Sequence, residues 1–217
     1  MATPTHSAFF YGTLMAPQVL HRVCHGSTSP SNPIYAAHRF KNSPAILHNY
    51  RRHRVRHADY PAILPVATTT TDPDSSKATV RGTYVTGLTA TDLWRLDIFE
   101  GSEYRRERVR VRLLPQANLT GSGEGGEEGE EVDAETYVWI ADPQDLDERA
   151  WDFSEFQREK MRFWVGSEGA GEYAGRPSIM EVDDAVASAE QRDGTGGRGA
   201  NGHISMALAE EQGKDDA

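Results

Sequence analysis

The stretch that most constrains this chain is Ser7-Ala8-Phe9-Phe10-Tyr11-Gly12-Thr13-Leu14. Residues 7–11 form a short apolar and aromatic run, the composition of a buried strand. Gly12 breaks the run and offers the backbone dihedrals closed to residues that carry a Cβ. Met15, Ala16 and Pro17 then lead into a helix predicted over residues 18–24. Pro17 suits its first turn and Gly26 the position just past its end. A strand, a glycine turn and a helix start leave several backbone N–H groups unpaired and pointing one way. Such a cluster is a seat for an anion or a carbonyl oxygen.

Further on, residues 34–40 and 45–50 read as strands separated by Asn42-Ser43-Pro44. The basic run 51–57 reads as a solvated strand and turn face, with a substrate-attracting rim as the sharper alternative. His53 and His57 have the spacing of a helical metal pair, but the segment is not helical in pattern, so no metal is expected. Tyr60-Pro61-Ala62-Ile63 reads as a turn with a buried Ile. Residues 68–77 read as a polar loop and 80–86 as a strand. Thr89-Ala90-Thr91-Asp92 opens a helix with a capping box, and Gly101 stops it. From Tyr104 the chain alternates. Arg106, Arg108, Arg110 and Arg112 fall on one face and Val109, Val111 and Leu113 on the other, one wet and one in the core. Residues 136–140 resume as a strand. A last helix is expected from Ser154, capped by Gln157, with Phe156, Phe163 and Trp164 as its apolar stripe. Mostly short strands with a few helices predict an α+β fold, a small mixed β-barrel with flanking helices.

Charge divides the chain. The 217 residues carry a net charge of −10, but residues 121–131 hold five Glu and no base, and residues 181–217 contribute −6. What is left is near neutral, with no electrostatic footprint for nucleic acid. The Gly/Glu run at 121–131 is expected to be a mobile insertion, and residues 176–217 a largely disordered acidic tail following a domain over 1–175. The single cysteine, Cys24, excludes an internal disulfide framework and reads as a core residue. The N-terminus lacks an apolar signal core, and no run is long enough to span a bilayer. The expectation is a soluble cytoplasmic protein, monomeric or homodimeric.

A second segment, Leu96-Asp97-Ile98-Phe99-Glu100-Gly101-Ser102-Glu103-Tyr104, pairs with the first. Phe-Tyr-Gly-Thr-Leu followed by Leu-Asp-x-Phe-Glu resembles the γ-glutamylcyclotransferase-like family, above all its γ-glutamylamine cyclotransferase and plant avirulence-induced branches. With Tyr137-Val138-Trp139, the resemblance spans roughly residues 8–164. It implies that Glu100 is the catalytic acid–base and that Tyr11, Gly12, Thr13 and Leu14 form the substrate loop. Tyr60 and Tyr104 are expected beside the pocket. On the residues alone, Glu100 reads as a solvated carboxylate at a helix end, with Asp97 and Glu103 as competitors. Asp97 is expected to make a helix-end hydrogen bond or a salt link.

The implied reaction closes a small-molecule γ-glutamyl amide to 5-oxoproline and frees an amine. It asks for no metal, nucleotide or other cofactor. Two alternatives stand beside it: the same pocket used for another small-metabolite reaction, and a non-catalytic binding protein whose acidic tail recruits a partner.

Overall fold

The computed structural model describes residues 5–26, 33, 37–66, 78–115, 128–165 and 182–188. The expected polar loop at 68–77, the acidic run at 121–127, residues 34–36, the Phe163 side chain and most of the tail lie outside the described residues.

Strand β1 (His6–Phe10) is followed by a 3₁₀ turn (Thr13–Met15) and helix α1 (Pro17–His25). Then come β2 (Lys41–His48), β3 (Tyr50–Val55), β4 (Pro61–Pro65) and β5 (Thr79–Leu88). Helix α2 (Ala90–Glu100), β6 (Tyr104–Leu113), β7 (Glu131–Trp139) and the two-residue β8 (Leu146–Asp147) follow. Helices α3 (Phe153–Glu159), α4 (Met161–Val165) and α5 (182–188) complete the order. Five strands close into a mixed barrel in the order β1-β5-β2-β6-β7, and β4-β3-β8 form a separate small sheet. The closing seam is parallel, β1 against β7 at Ala8 and Glu135; the other barrel pairings are antiparallel. This is the α+β barrel with flanking helices that the strand pattern predicts.

The run at β1 is buried on both faces because two cores meet there. Phe9 and Tyr11 point into the barrel with Leu47, Ile63, Val80, Val111 and Val138. Ala8 and Phe10 point outward, under α1 and α2, with Leu20, Val23, Leu93 and Leu96. Alternation of direction along the strand thus serves two apolar layers instead of one layer and water. The two helix starts follow the sequence. Pro17 occupies the first turn of α1, and Gly26 ends it at φ 68°. Thr89 and Asp92 complete a reciprocal capping box at α2: the Asp92 N–H donates to Thr89 Oγ1 at 3.2 Å and the Thr89 N–H donates to Asp92 Oδ2 at 2.7 Å.

Three expectations change. Asn42-Ser43-Pro44 does not separate two strands but lies inside β2, and residues 37–40 are not strand. Pro44 is tolerated because β6 comes into register with β2 only from Ala45, so one side of the ladder asks nothing of its missing N–H. The expected strand 45–50 is cut at Asn49, whose φ of 64° turns the chain from β2 into β3. The late helix is capped by Asp152, which accepts from the Glu155 N–H at 2.7 Å, rather than by Ser154, and it breaks at Lys160 into two short pieces. Within the tail, helix α5 buries Val182, and Asp183 forms a two-pronged ion pair with Arg22 of α1 at 2.6 and 3.0 Å.

Phe9 is fully buried. Phe9→Ala is expected to lower unfolding free energy by about 3–5 kcal/mol in urea denaturation. A loss below about 1 kcal/mol would show that the barrel interior collapses around the gap.

Candidate active site

A cavity of about 500 Å³ opens where the end of β1, the end of α2 and the start of β4 meet. Tyr11, Gly12, Thr13, Leu14, Tyr60, Glu100 and Tyr104, the residues singled out in the sequence, all line it. Phe10, Phe99 and Trp164 supply apolar wall, and Glu103 and His57 stand at exposed positions on its border.

The geometry at Gly12 is set by space. Its φ of −125° is not left-handed, although with ψ at −141° the pair lies outside the regular helical and extended regions. A Cβ here would lie 2.9 Å from Cδ and Cγ of Pro61. The proline ring is stiff, so the turn after β1 packs this closely on β4 only with a bare backbone. The 3₁₀ turn opens with the Met15 N–H donating to the Gly12 carbonyl at 3.0 Å. The Thr13 and Leu14 amides therefore have no acceptor inside the turn, and both residues line the cavity.

The aromatic residues are held by backbone carbonyls. The Tyr11 hydroxyl donates to the Tyr137 carbonyl at 2.6 Å, and the Tyr104 hydroxyl donates to the Pro61 carbonyl at 3.1 Å. Arg52 donates from Nη1 to the Tyr11 carbonyl at 2.9 Å, with its guanidinium over the Trp151 ring at 5.5 Å. It is thus bound to the base of the loop. The basic run is only partly the solvated face expected: Arg51, Arg56 and His57 are exposed, but Arg52, His53 and Arg54 are half-buried. Of the run, His57 alone borders the cavity.

Glu100 is the last residue of α2. Gly101, at φ 73°, stops the helix and turns the chain into β6, so this carboxyl stays in the cavity wall. Protein surrounds the carboxyl group although the residue keeps an accessible edge on the cavity. Burial, with a smaller contribution from the charge of Asp97, pushes its pKa up from 4.5 to about 8. The same enclosure, with Glu100 nearby, raises Tyr11. Asp97 is exposed and spent elsewhere, 3.0 Å from Arg106 Nε and accepting from the Tyr137 hydroxyl at 2.8 Å. Along β6, Arg106, Arg110 and Arg112 pair with Glu135, Glu131 and Glu128, as a solvated charged face would.

Sequence reasoning did not assign Tyr137 and Trp164 to this cavity. Tyr137 belongs to the third matched segment, and alternation along β7 was the available signal. Trp164 reaches the wall from α4, against Phe99 at 6.0 Å, and no local pattern announces that docking.

A family profile described as "Gamma-glutamyl cyclotransferase, AIG2-like" matches residues 8–157. The chain belongs to this family. Among its relatives, Protein AIG2 C of Arabidopsis thaliana is 30% identical over 155 residues, 70% of this chain and 73% of that one. Protein AIG2 B of the same plant is 31% identical over 159 residues, 72% and 73% of the two chains. A solution structure of another Arabidopsis thaliana protein is 27% identical, covers 73% of this chain and 84% of its own, and has a TM-score of 0.46. The matched residues hold both motifs and leave α5 outside.

The raised pKa has a direct consequence for stability. Below pH 4.5 Glu100 is protonated folded or unfolded and costs nothing. Between pH 4.5 and about 8 the unfolded chain releases this proton and the folded chain keeps it, so stability falls as pH rises. Glu100→Gln lacks that loss. Its melting temperature relative to wild type is expected to be higher at pH 8.5 than at pH 5. A difference independent of pH would mean that the carboxyl is solvated.

Proposed function

We propose that this protein is a γ-glutamylcyclotransferase that converts a γ-glutamyl amide to 5-oxoproline and a free amine, with Glu100 as general acid–base. The observation that carries the reading is the meeting of one enclosed carboxyl and the Gly12–Leu14 turn on a single cavity.

The chemistry follows from what each group can do. The substrate's α-amine is an ammonium at neutral pH and must lose a proton before it attacks. The Glu100 carboxylate takes that proton, and a pKa near 8 makes it a far better base for an ammonium than a solvated carboxylate would be. The freed amine forms a bond to the γ-carbonyl carbon and closes a five-membered ring. Negative charge then gathers on the former carbonyl oxygen, where the Thr13 and Leu14 amides can donate. Protonated Glu100 gives its proton to the leaving nitrogen and takes the second proton from the ring nitrogen; the bond from carbon to the leaving nitrogen then breaks, the carbonyl re-forms, and the amine departs with that last proton as an ammonium. Both reactants lie on one molecule, so holding the folded conformer supplies much of the rate. Tyr11, Tyr60 and Tyr104 shape the wall that selects it. The reaction calls on no metal or cofactor, runs in the cytoplasm, and is carried by a catalytic unit within residues 1–175.

Purified protein incubated with γ-glutamyl amines and peptides is expected to release 5-oxoproline, with kcat/KM rising with pH to a plateau above about 8. Glu100→Gln is expected to lower kcat by about 10²–10⁴-fold. Equal turnover by wild type and this variant would remove Glu100 from the chemistry.

Gly12→Ala is expected to raise KM and lower kcat together by displacing the turn from Pro61. Unchanged kinetics would show that the packing at Gly12 does not position the loop.

A further inference from the structure

A second cluster of chemistry-bearing side chains lies where the end of α1, the start of α2 and the lead-in to β2 converge. His25 is the last residue of α1, Asp92 sits in the first turn of α2, and His38 stands three residues before β2. None of them lines the cavity with Glu100. His25 and Asp92 are 5% and 3% exposed, and His38 is half-buried. One ligand atom from each of the three lies within 4.8 Å of the other two.

Two of the ring nitrogens stand at a spacing that a metal site can use. His25 Nε2 and His38 Nδ1 face each other at 3.2 Å. Two ligands on one tetrahedral ion stand about 3.3 Å apart, so these nitrogens are already at the spacing. Metal-bound imidazoles commonly donate their second N–H to a fixed partner. His38 has such a partner, the Gly87 carbonyl 2.6 Å from Nε2. His25 has one in His21, the two Nδ1 atoms lying 3.1 Å apart. The carboxylate is oriented in turn: the Thr89 N–H and hydroxyl both donate to Asp92 Oδ2 at 2.7 Å; that oxygen lies 3.6 Å from His38 Nε2, the nitrogen held by Gly87, so it must shift toward Nδ1 to complete the site. Phe40 stacks on His21 and His25 and shields the rings from water.

We propose that His25, His38 and Asp92 bind one divalent transition-metal ion of the Zn²⁺ type, tying α1 to α2 and to the entry of β2. Two imidazoles and a carboxylate suit zinc and its neighbours rather than magnesium or calcium, which take oxygen ligands. Closing the widest separation needs side-chain movement on the order of 1 Å. The fourth position falls to water on the half-exposed side of His38. An ion held there binds the folded chain, whose three elements it joins, and so raises its stability.

The full chain, stripped with chelator and then freed of it, is titrated with ZnCl₂ by calorimetry and with Co²⁺ by visible absorption. One equivalent is expected to bind, melting temperature to rise with zinc concentration, and Co²⁺ to show the bands of a low-coordinate site. His38→Ala removes a half-exposed side chain and is expected to weaken binding by at least about 10-fold and abolish the bands. Asp92→Asn is expected to weaken binding likewise. His48→Ala, which alters a half-buried histidine paired with Glu128 away from the cluster, is expected to change neither. No zinc-dependent shift in wild type, or undiminished binding by His38→Ala, would leave a hydrogen-bonded imidazole chain without an ion and overturn the proposal. Neither readout depends on turnover.

Discussion

The structure depends on one strand having no wet face. Residues 8–11 are buried between the barrel interior and the helical layer, and each core takes alternate side chains. This double burial fixes β1 in register, since a slip of one residue would exchange Phe9 with Phe10 between cores of different shape. A strand so fixed places Tyr11, the residue just past its end, and the turn that follows at a defined depth in the molecule. The cavity is what remains where that turn, pressed on Pro61, stops short of the end of α2.

The same enclosure gives Glu100 its character. A carboxyl at a helix end is ordinarily solvated and acidic. Here the aromatic wall replaces water, and the missing hydration favours the neutral form. Asp97, three residues earlier on the same helix, is a carboxylate in contact with Arg106 and exposed to solvent. The two acids differ in environment rather than in chemistry, and that difference separates a group suited to moving protons from one that holds strands together.

Much of this was legible in residue order. The apolar run, Pro17 and Gly26 around α1, the Thr89–Asp92 cap and the arginine alternation of β6 are local patterns with local causes. They read correctly because neighbouring residues decide them. Pro44 misled because whether a strand tolerates proline depends on which partner is in register beside it. Half of the reason for Gly12 was hidden for a related cause: beside its own dihedrals, its constraint comes from Pro61, 49 positions on. Trp164 and the convergence of His25 with His38 and Asp92 were invisible because docking brings them together. The two motifs that line the cavity were found, but only resemblance could say that they meet.

The parallel seam between β1 and β7 shapes how the molecule must be made. Phe9 and Thr136, joined at that seam by a hydrogen bond, lie 127 positions apart. Strand β1 leaves the ribosome before β7 and waits for it before its second edge is covered. Ring closure over so long a chain is entropically dear and favours slow assembly. Until it completes, Ala8, Phe9, Phe10 and Tyr11 are a naked, sticky edge, so the residues that organise the finished protein are also the nascent chain's main hazard for aggregation.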